Sequence, residues 1–291
     1  MPKKQINLKQ ASAIVIAALL LIFLGFWFWY TNVYLKPSNV FWSTMNQNLQ
    51  TGSITETENE SASGQTMTQI SDIQYKGSLI AHTTVTLNDK TTSGTSTIIT
   101  ETYGTPGQDY LRYPKITSTD NSVPKGVVGM WATSIKSKGQ PIEILSDALT
   151  ATPLMFGYLS TSARADIINQ LHDHNVFNLN FGSTITNAKY DGHRVYAYDV
   201  TLNLQNYIQV FRSYLDYMGQ STLALSIPQP STSATYKMTL YINPVSRQIM
   251  KMVPDGSSVQ EIFTNQDVNT NIKLPGSVKL TINQLRNRLT Q

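Results

Sequence analysis

The chain contains no cysteine among its 291 residues. This absence excludes disulfide bonds, thiolate metal ligands, a cysteine nucleophile and an acylated cysteine anchor. Neither secretion nor residence in the cytoplasm follows from it, because exported proteins without disulfides are common. Packing and hydrogen bonding must therefore hold the fold together.

Familiar catalytic motifs are also absent. The sequence has no G-x-S-x-G, no H-E-x-x-H, no phosphate-binding loop and no G-x-G-x-x-G. We therefore predict a non-enzymatic protein with no catalytic residues and no cofactor. A hydrolase stays open as a third alternative, because a catalytic triad is defined by geometry and not by sequence order.

An excess of one charge is missing from most of the chain. The sequence has 22 basic and 18 acidic residues, and four lysines lie in residues 1–36, which contain no Asp or Glu. Residues 37–291 are thus formally neutral. A nucleic-acid-binding domain carries a basic surface, so we predict no nucleic-acid partner.

Only one long apolar run is present, from Ala11 to Tyr30. Twenty helical residues span roughly 30 Å, the thickness of the bilayer's hydrocarbon core. Lys3, Lys4 and Lys9 precede the run, which by the positive-inside rule predicts a cytoplasmic N-terminus. A cleaved signal peptide is the rival interpretation, but its apolar region is shorter and ends in small residues, whereas this run ends in aromatics.

These features predict a single-pass protein of the cell membrane with four parts. Residues 1–10 are the cytoplasmic N-terminus and residues 11–35 the transmembrane anchor. Residues 36–66 are predicted to be a stalk and linker, because residues 51–68 are rich in Ser, Thr, Glu and Gly. A short helix is predicted after Pro37, with Phe41, Met45 and Leu49 on one face. Residues 67–291 are then an extracytoplasmic β-rich domain.

Within that domain the apolar pattern has mainly a period of two, which is typical of half-buried strands. Strands are predicted over residues 79–87, 96–103, 109–113, 127–135, 195–202, 236–242 and 248–253, with a turn at residues 88–90. Helical spacing predicts helices over residues 163–174, 205–218 and 281–289, the first capped by residues 160–162. Tight turns are predicted at Asp191-Gly192 and at residues 243–246. The fold class is therefore α+β, an antiparallel sheet with two or three helices on one face.

The stretch from Tyr190 to Val253 resembles the bacterial lipoprotein-carrier fold of the LolA type and its mycobacterial relatives of the LppX and LprG type. The matching pieces are residues 191–200, DGHRVYAYDV, and residues 240–249, LYINPVSRQI. The resemblance implies a half-barrel-like sheet whose helices lie on its concave face and hold an apolar ligand. Asn243 replaces the family's usual Asp, and the predicted helix replaces its acylated cysteine, which argues against shuttling between membranes.

Apolar and methionine side chains are the candidates for lining a ligand site, because methionine adapts to varied apolar ligands. The candidates are Met130, Trp131, Met155, Phe156, Tyr207, Phe211, Tyr214 and Met218. The alternative is that they are ordinary core residues, which is the commoner role of an amphipathic stripe.

His172-Asp173-His174 is the densest group of metal-binding residue types. Residues two apart on a helix point in different directions, so we predict no metal site there. The leading hypothesis is a membrane-tethered, extracytoplasmic, non-catalytic module that binds a lipid or another apolar ligand. The second is an envelope interaction or structural domain without a cavity, with unknown protein partners.

Overall fold

The computed structural model describes residues 8–91, 94–119, 126–135, 143–229, 234–268, 270–278 and 280–289, with backbone only for residues 8–15, 17 and 91. The helices described are α1 Leu8–Trp29, α2 Pro37–Asn48, α3 Glu143–Thr150, α4 Thr161–Asp173, α5 Leu204–Tyr217, α6 Ser221–Ser226 and α7 Ile282–Leu289. A π-helical turn, Tyr30–Tyr34, follows α1.

The strands form one sheet. They are β1 Ser53–Ala62, β2 Gln65–Gln74, β3 Ile80–Thr91, β4 Gly94–Gly104, β5 Gln108–Ser118, β6 Ala132–Ile135, β7 Phe177–Leu179, β8 Ile185–Tyr190, β9 His193–Asn203, β10 Thr235–Ile242, β11 Ile249–Pro254, β12 Gln260–Thr264 and β13 Leu280–Thr281.

The sheet is open and almost wholly antiparallel. Its order is β13-β6-β5-β4-β3-β2-β1-β12-β11-β10-β9-β7, with β8 paired to β9, and among the described strands only the β13–β6 pair is parallel. The pairing of β1 with β12 joins two meanders into this sheet. The predicted α+β class with an antiparallel sheet is confirmed.

The predicted membrane span stays a prediction. Within the described residues, no helix taken alone has both the length and the hydropathy required to cross a membrane. Residues 18–34 and Pro37–Asn48 meet both criteria only as a pair, and a bend of 70° separates them.

Residues 36–66, predicted to be a stalk and linker, contain the short helix that the sequence predicts, with Phe41, Met45 and Leu49 buried together, but their Ser- and Thr-rich part is a strand. They form α2 and β1, and α2 buries Val40 and Phe41 completely. The Pro37 ring starts α2 because proline suits the first helical turn. The Ser- and Thr-rich part forms a strand because its backbone pairs with both β2 and β12, which satisfies its hydrogen bonds.

Two smaller strand predictions also need correction. Residues 88–90 were predicted to be a turn, but they continue β3 and pair with residues 95–97 of β4. The long β4 partner overrides the local turn preference of Asn and Asp, because register is set by cross-strand pairing. The strand predicted over residues 127–135 is shorter and covers only Ala132–Ile135.

Several local predictions are confirmed. The Ser160 hydroxyl accepts a hydrogen bond from the Ala163 N–H and caps α4. Asp191 and Gly192, both with positive φ, form the tight turn between β8 and β9. At the β10–β11 turn, the Asn243 side chain accepts hydrogen bonds from the N–H groups of Val245 and Ser246.

One large hydrophobic cluster joins the sheet to a helical layer. Instead of the two or three helices predicted, five helices of the described chain, α2 to α6, contribute buried residues to it. On the sheet side, its members alternate along each strand, as in Tyr196, Tyr198 and Val200 of β9, and so share one face. A smaller cluster at the other end of the sheet packs α7 against β5 and β6.

Gly104, at the end of β4, allows α3 to approach the sheet closely. A Cβ atom at this position would lie 2.5 Å from the Leu145 backbone nitrogen. We expect Gly104→Ala to lower the free energy of unfolding by about 1–3 kcal/mol, because α3 must move away. Chemical denaturation of the full chain in detergent measures this.

Gly107 provides the matched control, since no heavy atom lies within 4 Å of a Cβ built there. Gly107→Ala is expected to change stability by less than about 0.5 kcal/mol. Equal effects of the two substitutions would contradict the close packing of α3.

Candidate functional site

Helix α5 carries three of the predicted ligand-lining residues as a ladder of stacked rings. The Tyr207 and Phe211 ring centroids lie 5.3 Å apart, and those of Phe211 and Tyr214 lie 5.4 Å apart. All three are buried in the large hydrophobic cluster. The Asn203 side chain caps the helix by accepting a hydrogen bond from the Asn206 N–H.

Residues 154–159, here called the wall segment, lie between α5 and the end of α2. The N–H groups of Gly157 and Leu159 donate to the carbonyls of Asn48 and Leu49. The Tyr214 hydroxyl donates to the Phe156 carbonyl. These hydrogen bonds hold the backbone of the wall segment on both sides.

Two further predicted residues, Met155 and Phe156, belong to the wall segment. Both are buried in the same cluster as the α5 ladder, and the Phe156 ring lies 5.4 Å from that of Phe263. Met218 is partly buried against this cluster. A Cβ on Gly157 would approach its sulfur within 3.0 Å, so Met218 also contacts the wall segment closely.

The structure therefore brings six of the eight predicted residues together and separates the other two. Trp131 packs elsewhere, with the Arg112 guanidinium carbon 4.6 Å from its ring centroid. Met130 lies beside Arg288, whose Nη1 is 3.6 Å from the Met130 sulfur. That the gathered residues line a ligand site stays a prediction, as does the lining role of Met130 and Trp131.

A buried pair of carboxyl groups lies on the same face of the sheet as the large cluster. Glu56 pairs in register with Phe263 of β12, and Glu261 is two residues before Phe263, so all three share a face. Glu56 and Glu261 are 5% and 6% exposed. Among the described residues, no hydrogen-bond partner reaches Oε2 of Glu261.

Burial perturbs both carboxyl groups because it disfavours their charged forms. Burial, followed by the charge of Glu261, raises the pKa of Glu56 well above its ordinary value. Burial also raises the pKa of Glu261 to about 7, although hydrogen bonds with Glu56 and Thr152 oppose the shift. Carboxyl groups with strongly perturbed pKa values are often functional, and no motif in the sequence marks this pair.

An open pocket of about 460 Å³ lies where β1 begins and β2 and β12 end, beside the wall segment. We call it the edge pocket, and its lining residues are Gln50, Gly52, Gln74, Lys76, Tyr158, Asp267, Val268 and Thr270. The Lys76 Nζ is 5.2 Å from the Tyr158 ring centroid, and Asp267 accepts a hydrogen bond of 2.7 Å from the Gly52 N–H. The pocket thus offers a cation, amides and an aromatic ring to a ligand.

A polar network crosses the opposite face of the sheet. His82 Nε2 lies 3.1 Å from Glu101 Oε1, and His82 Nδ1 lies 3.6 Å from Asp72 Oδ2. Arg112 Nε donates to Glu101 at 2.6 Å. Burial lowers the pKa of His82, but the hydrogen bonds and charges of the two carboxylates outweigh it and raise the pKa overall.

This network does not form a nucleophile–base pair. Both imidazole nitrogens of His82 face carboxylates, so neither is positioned to take a proton from a hydroxyl nucleophile. The described residues contain no group of three or more His, Asp or Glu side chains able to hold a metal ion. His172 instead stacks on Trp42, with the ring centroids 3.6 Å apart.

Comparison with known proteins gave one structural similarity of note. No protein-family model and no curated protein sequence matches the chain. The crystal structure of LprF from Mycobacterium bovis is similar with a TM-score of 0.41 and 13% sequence identity, over 84% of this chain and 97% of that one. Membership of the lipoprotein-carrier family stays a prediction, and the function proposed below rests on this chain's own residues.

We expect the buried acid pair to make stability depend on pH. Below about pH 4.5, Glu261 is protonated in both the folded and the unfolded chain. As the pH rises to about 7, the unfolded chain loses this proton while the folded chain retains it, so wild-type stability falls. Glu261→Gln removes this loss, on the order of 1–3 kcal/mol.

The measurement is denaturant unfolding of wild type and variant across this pH range. The stability of Glu261→Gln relative to wild type should rise with pH. Glu60→Gln is the control, because Glu60 lies on the same face of β1 but is exposed. A parallel pH dependence of wild type and Glu261→Gln would contradict the buried pair.

Proposed function

We propose that this protein is a membrane-tethered, extracytoplasmic binding module for a lipid or another apolar ligand. The observation that carries the proposal is the aromatic ladder of α5 beside the wall segment, whose Tyr158 lines the open edge pocket. Stacked rings and adaptable methionines suit an apolar chain. The polar edge pocket suits the polar end of such a ligand.

The proposed site requires a sheet that curves as a half-barrel around the helical layer. Helices α2, α4 and α5 would then lie on the concave face, and the ligand would enter by displacing part of the wall segment. Only a few backbone hydrogen bonds hold that segment on the α2 side. Met155 and Phe156 of the segment are buried in the large cluster, so an apolar ligand would replace their contacts as the segment moves.

The proposed tether is α1, with the domain on the extracytoplasmic side. Its large apolar side chains from Leu19 to Leu24 are 56–70% exposed. Exposed apolar surface of this extent is unfavourable in water and favourable in a bilayer. Trp29, Tyr30 and Tyr34 at its end are residue types that favour the membrane interface.

A second candidate function is an envelope interaction or structural domain that holds no ligand. The close burial of Met155, Phe156, Tyr207, Phe211 and Tyr214 favours it, because well-packed residues leave no space for a ligand. The two candidates differ in whether the helical layer opens. Ligand binding decides between them.

Native mass spectrometry with lipid extraction is the first test of the binding proposal. We expect an acyl lipid to copurify with the full chain and the purified protein to take up a fluorescent fatty acid. Met218→Trp should lower this uptake about tenfold, because the larger ring fills space beside the wall segment. Tyr217→Trp, at an adjacent position that is 50% exposed, is the matched control and should bind normally.

If no lipid copurifies and no fatty acid is taken up, the binding proposal is contradicted and the interaction domain is favoured. If Met218→Trp and Tyr217→Trp lower uptake equally, the ligand binds away from the α5 ladder. Circular dichroism of both variants checks that each remains folded.

Membrane topology can be tested with single cysteines, because the wild-type chain has none. Ser258, in the exposed β11–β12 turn, is expected on the extracytoplasmic side. A membrane-impermeant maleimide should therefore label Ser258→Cys on intact cells. Gln5→Cys, in the predicted cytoplasmic N-terminus, should react only after permeabilisation, and the reverse pattern would refute the proposed orientation.

A further inference from the structure

The end of α1 is fastened to the folded domain at the β10–β11 turn. The Tyr34 hydroxyl donates a hydrogen bond of 3.2 Å to the Val245 carbonyl, and Arg247 Nη2 donates one of 2.6 Å to the Tyr34 carbonyl. On neighbouring strand β9, the Tyr196 hydroxyl donates to the Leu35 carbonyl at 3.0 Å. These contacts oppose free rotation of the domain about the end of α1.

Arg247 is a buried cation without a matching anion. Its residue surface is 7% exposed, and its guanidinium carbon lies 4.2 Å from the Tyr34 ring centroid. Among the described residues, Nη1 has no hydrogen-bond partner and no carboxylate forms an ion pair with Arg247. Buried charges in proteins are normally paired, so Arg247 adds a positive charge, unpaired within the described residues, just beneath this surface.

Two more basic residues lie at the same place. Lys36 follows the π-helical turn directly after Leu35 and is exposed, and Arg194 is exposed at the start of β9. The Arg194 guanidinium carbon is 5.6 Å from the Tyr196 ring centroid. Burial raises the pKa of Tyr196, and the positive charges of Arg194 and Arg247 partly offset this rise. Both cations are therefore close enough to the Tyr196 hydroxyl to influence its ionisation.

The apolar tip of the β10–β11 turn lies beside these cations. Val245 is 58% exposed, while the Asn243 side chain fixes its backbone by accepting the N–H groups of Val245 and Ser246 at 2.9 and 3.1 Å. A rigid apolar tip flanked by basic groups is suited to the interface of a bilayer, where side chains of both types are stable.

We propose that this exit surface, formed by Lys36, Arg194 and Val245 with the buried Arg247 beneath it, docks on the anionic phospholipid headgroups of the bilayer that holds α1. The proposal rests on the proposed tether and extends it from attachment to a fixed orientation. Continuity with α1 selects a lipid surface over a protein partner, because Lys36 and Tyr34 are within two residues of each other at the helix exit. Cations near an anionic leaflet are attracted to it.

The test uses the full chain reconstituted into two sets of vesicles, one of phosphatidylcholine and one with added phosphatidylglycerol. An environment-sensitive fluorophore is attached to Val245→Cys or to Ser258→Cys, and lipids carrying a headgroup quencher are included. Ser258 is the matched position, because it is exposed beyond the opposite end of β11. We expect strong quenching at position 245, stronger with phosphatidylglycerol, and little at position 258.

Charge substitutions then test the cations. In the Val245→Cys background, Arg194→Gln should lower the ratio of docked to undocked protein on anionic vesicles about fivefold, and Arg194→Lys should restore it. Lys237→Gln is the control, because Lys237 is an exposed cation near the other end of β10. An equal effect of Arg194→Gln and Lys237→Gln would contradict the assigned surface.

Three further outcomes separate the docking proposal from the tether and from the ligand. Protein that floats with the vesicles but shows equal quenching at positions 245 and 258 overturns the docking proposal and leaves the tether intact. Protein that does not float with the vesicles overturns both. Selective quenching at position 245 in a protein that takes up no fatty acid supports docking and argues only against the ligand.

Discussion

The packing of Phe41 joins the helical layer of this protein to its sheet. The Phe41 ring is fully buried and its centroid lies within 6.0 Å of those of Phe177, Phe181 and Tyr198. Because Phe41 belongs to α2, which starts three residues after Tyr34, the same packing also sets where α1 leaves the domain. Loss of this contact would loosen the wall segment and the exit surface together, since α2 borders both.

Local chemistry was enough to predict the turns after β8 and β10 and the amphipathic helix α5, but not the first two strands. Asp191-Gly192 and the Asn243 turn use residues whose side chains or backbones favour tight turns, and α5 has a clear apolar stripe. Strand β1 has only polar side chains from Thr55 to Ser61. Its strand conformation depends on pairing with β12, about 200 residues later, which no local pattern reveals.

The candidate site shows the same limit. Residues of α5 and the wall segment were found because large apolar side chains mark buried surface, whereas Met130 and Trp131 were grouped with them by residue type alone. The burial of Glu56 and Glu261 could not be predicted, because charged residues are normally exposed. The one available signal was the alternation of Glu56, Glu58 and Glu60, which places three acids on one face of a strand.

The order of the strands relates the exit surface to the edge pocket. Strand β10 ends at the β10–β11 turn, and the strands from β10 through β11, β12 and β1 to β2 are antiparallel. Gly52 and Lys76 of the edge pocket therefore lie at the same end of the strands as this turn. A docked exit surface would turn this end of the sheet toward the bilayer. An apolar ligand could then pass between the membrane and the helical layer with little exposure to water, which would lower the free-energy cost of transfer.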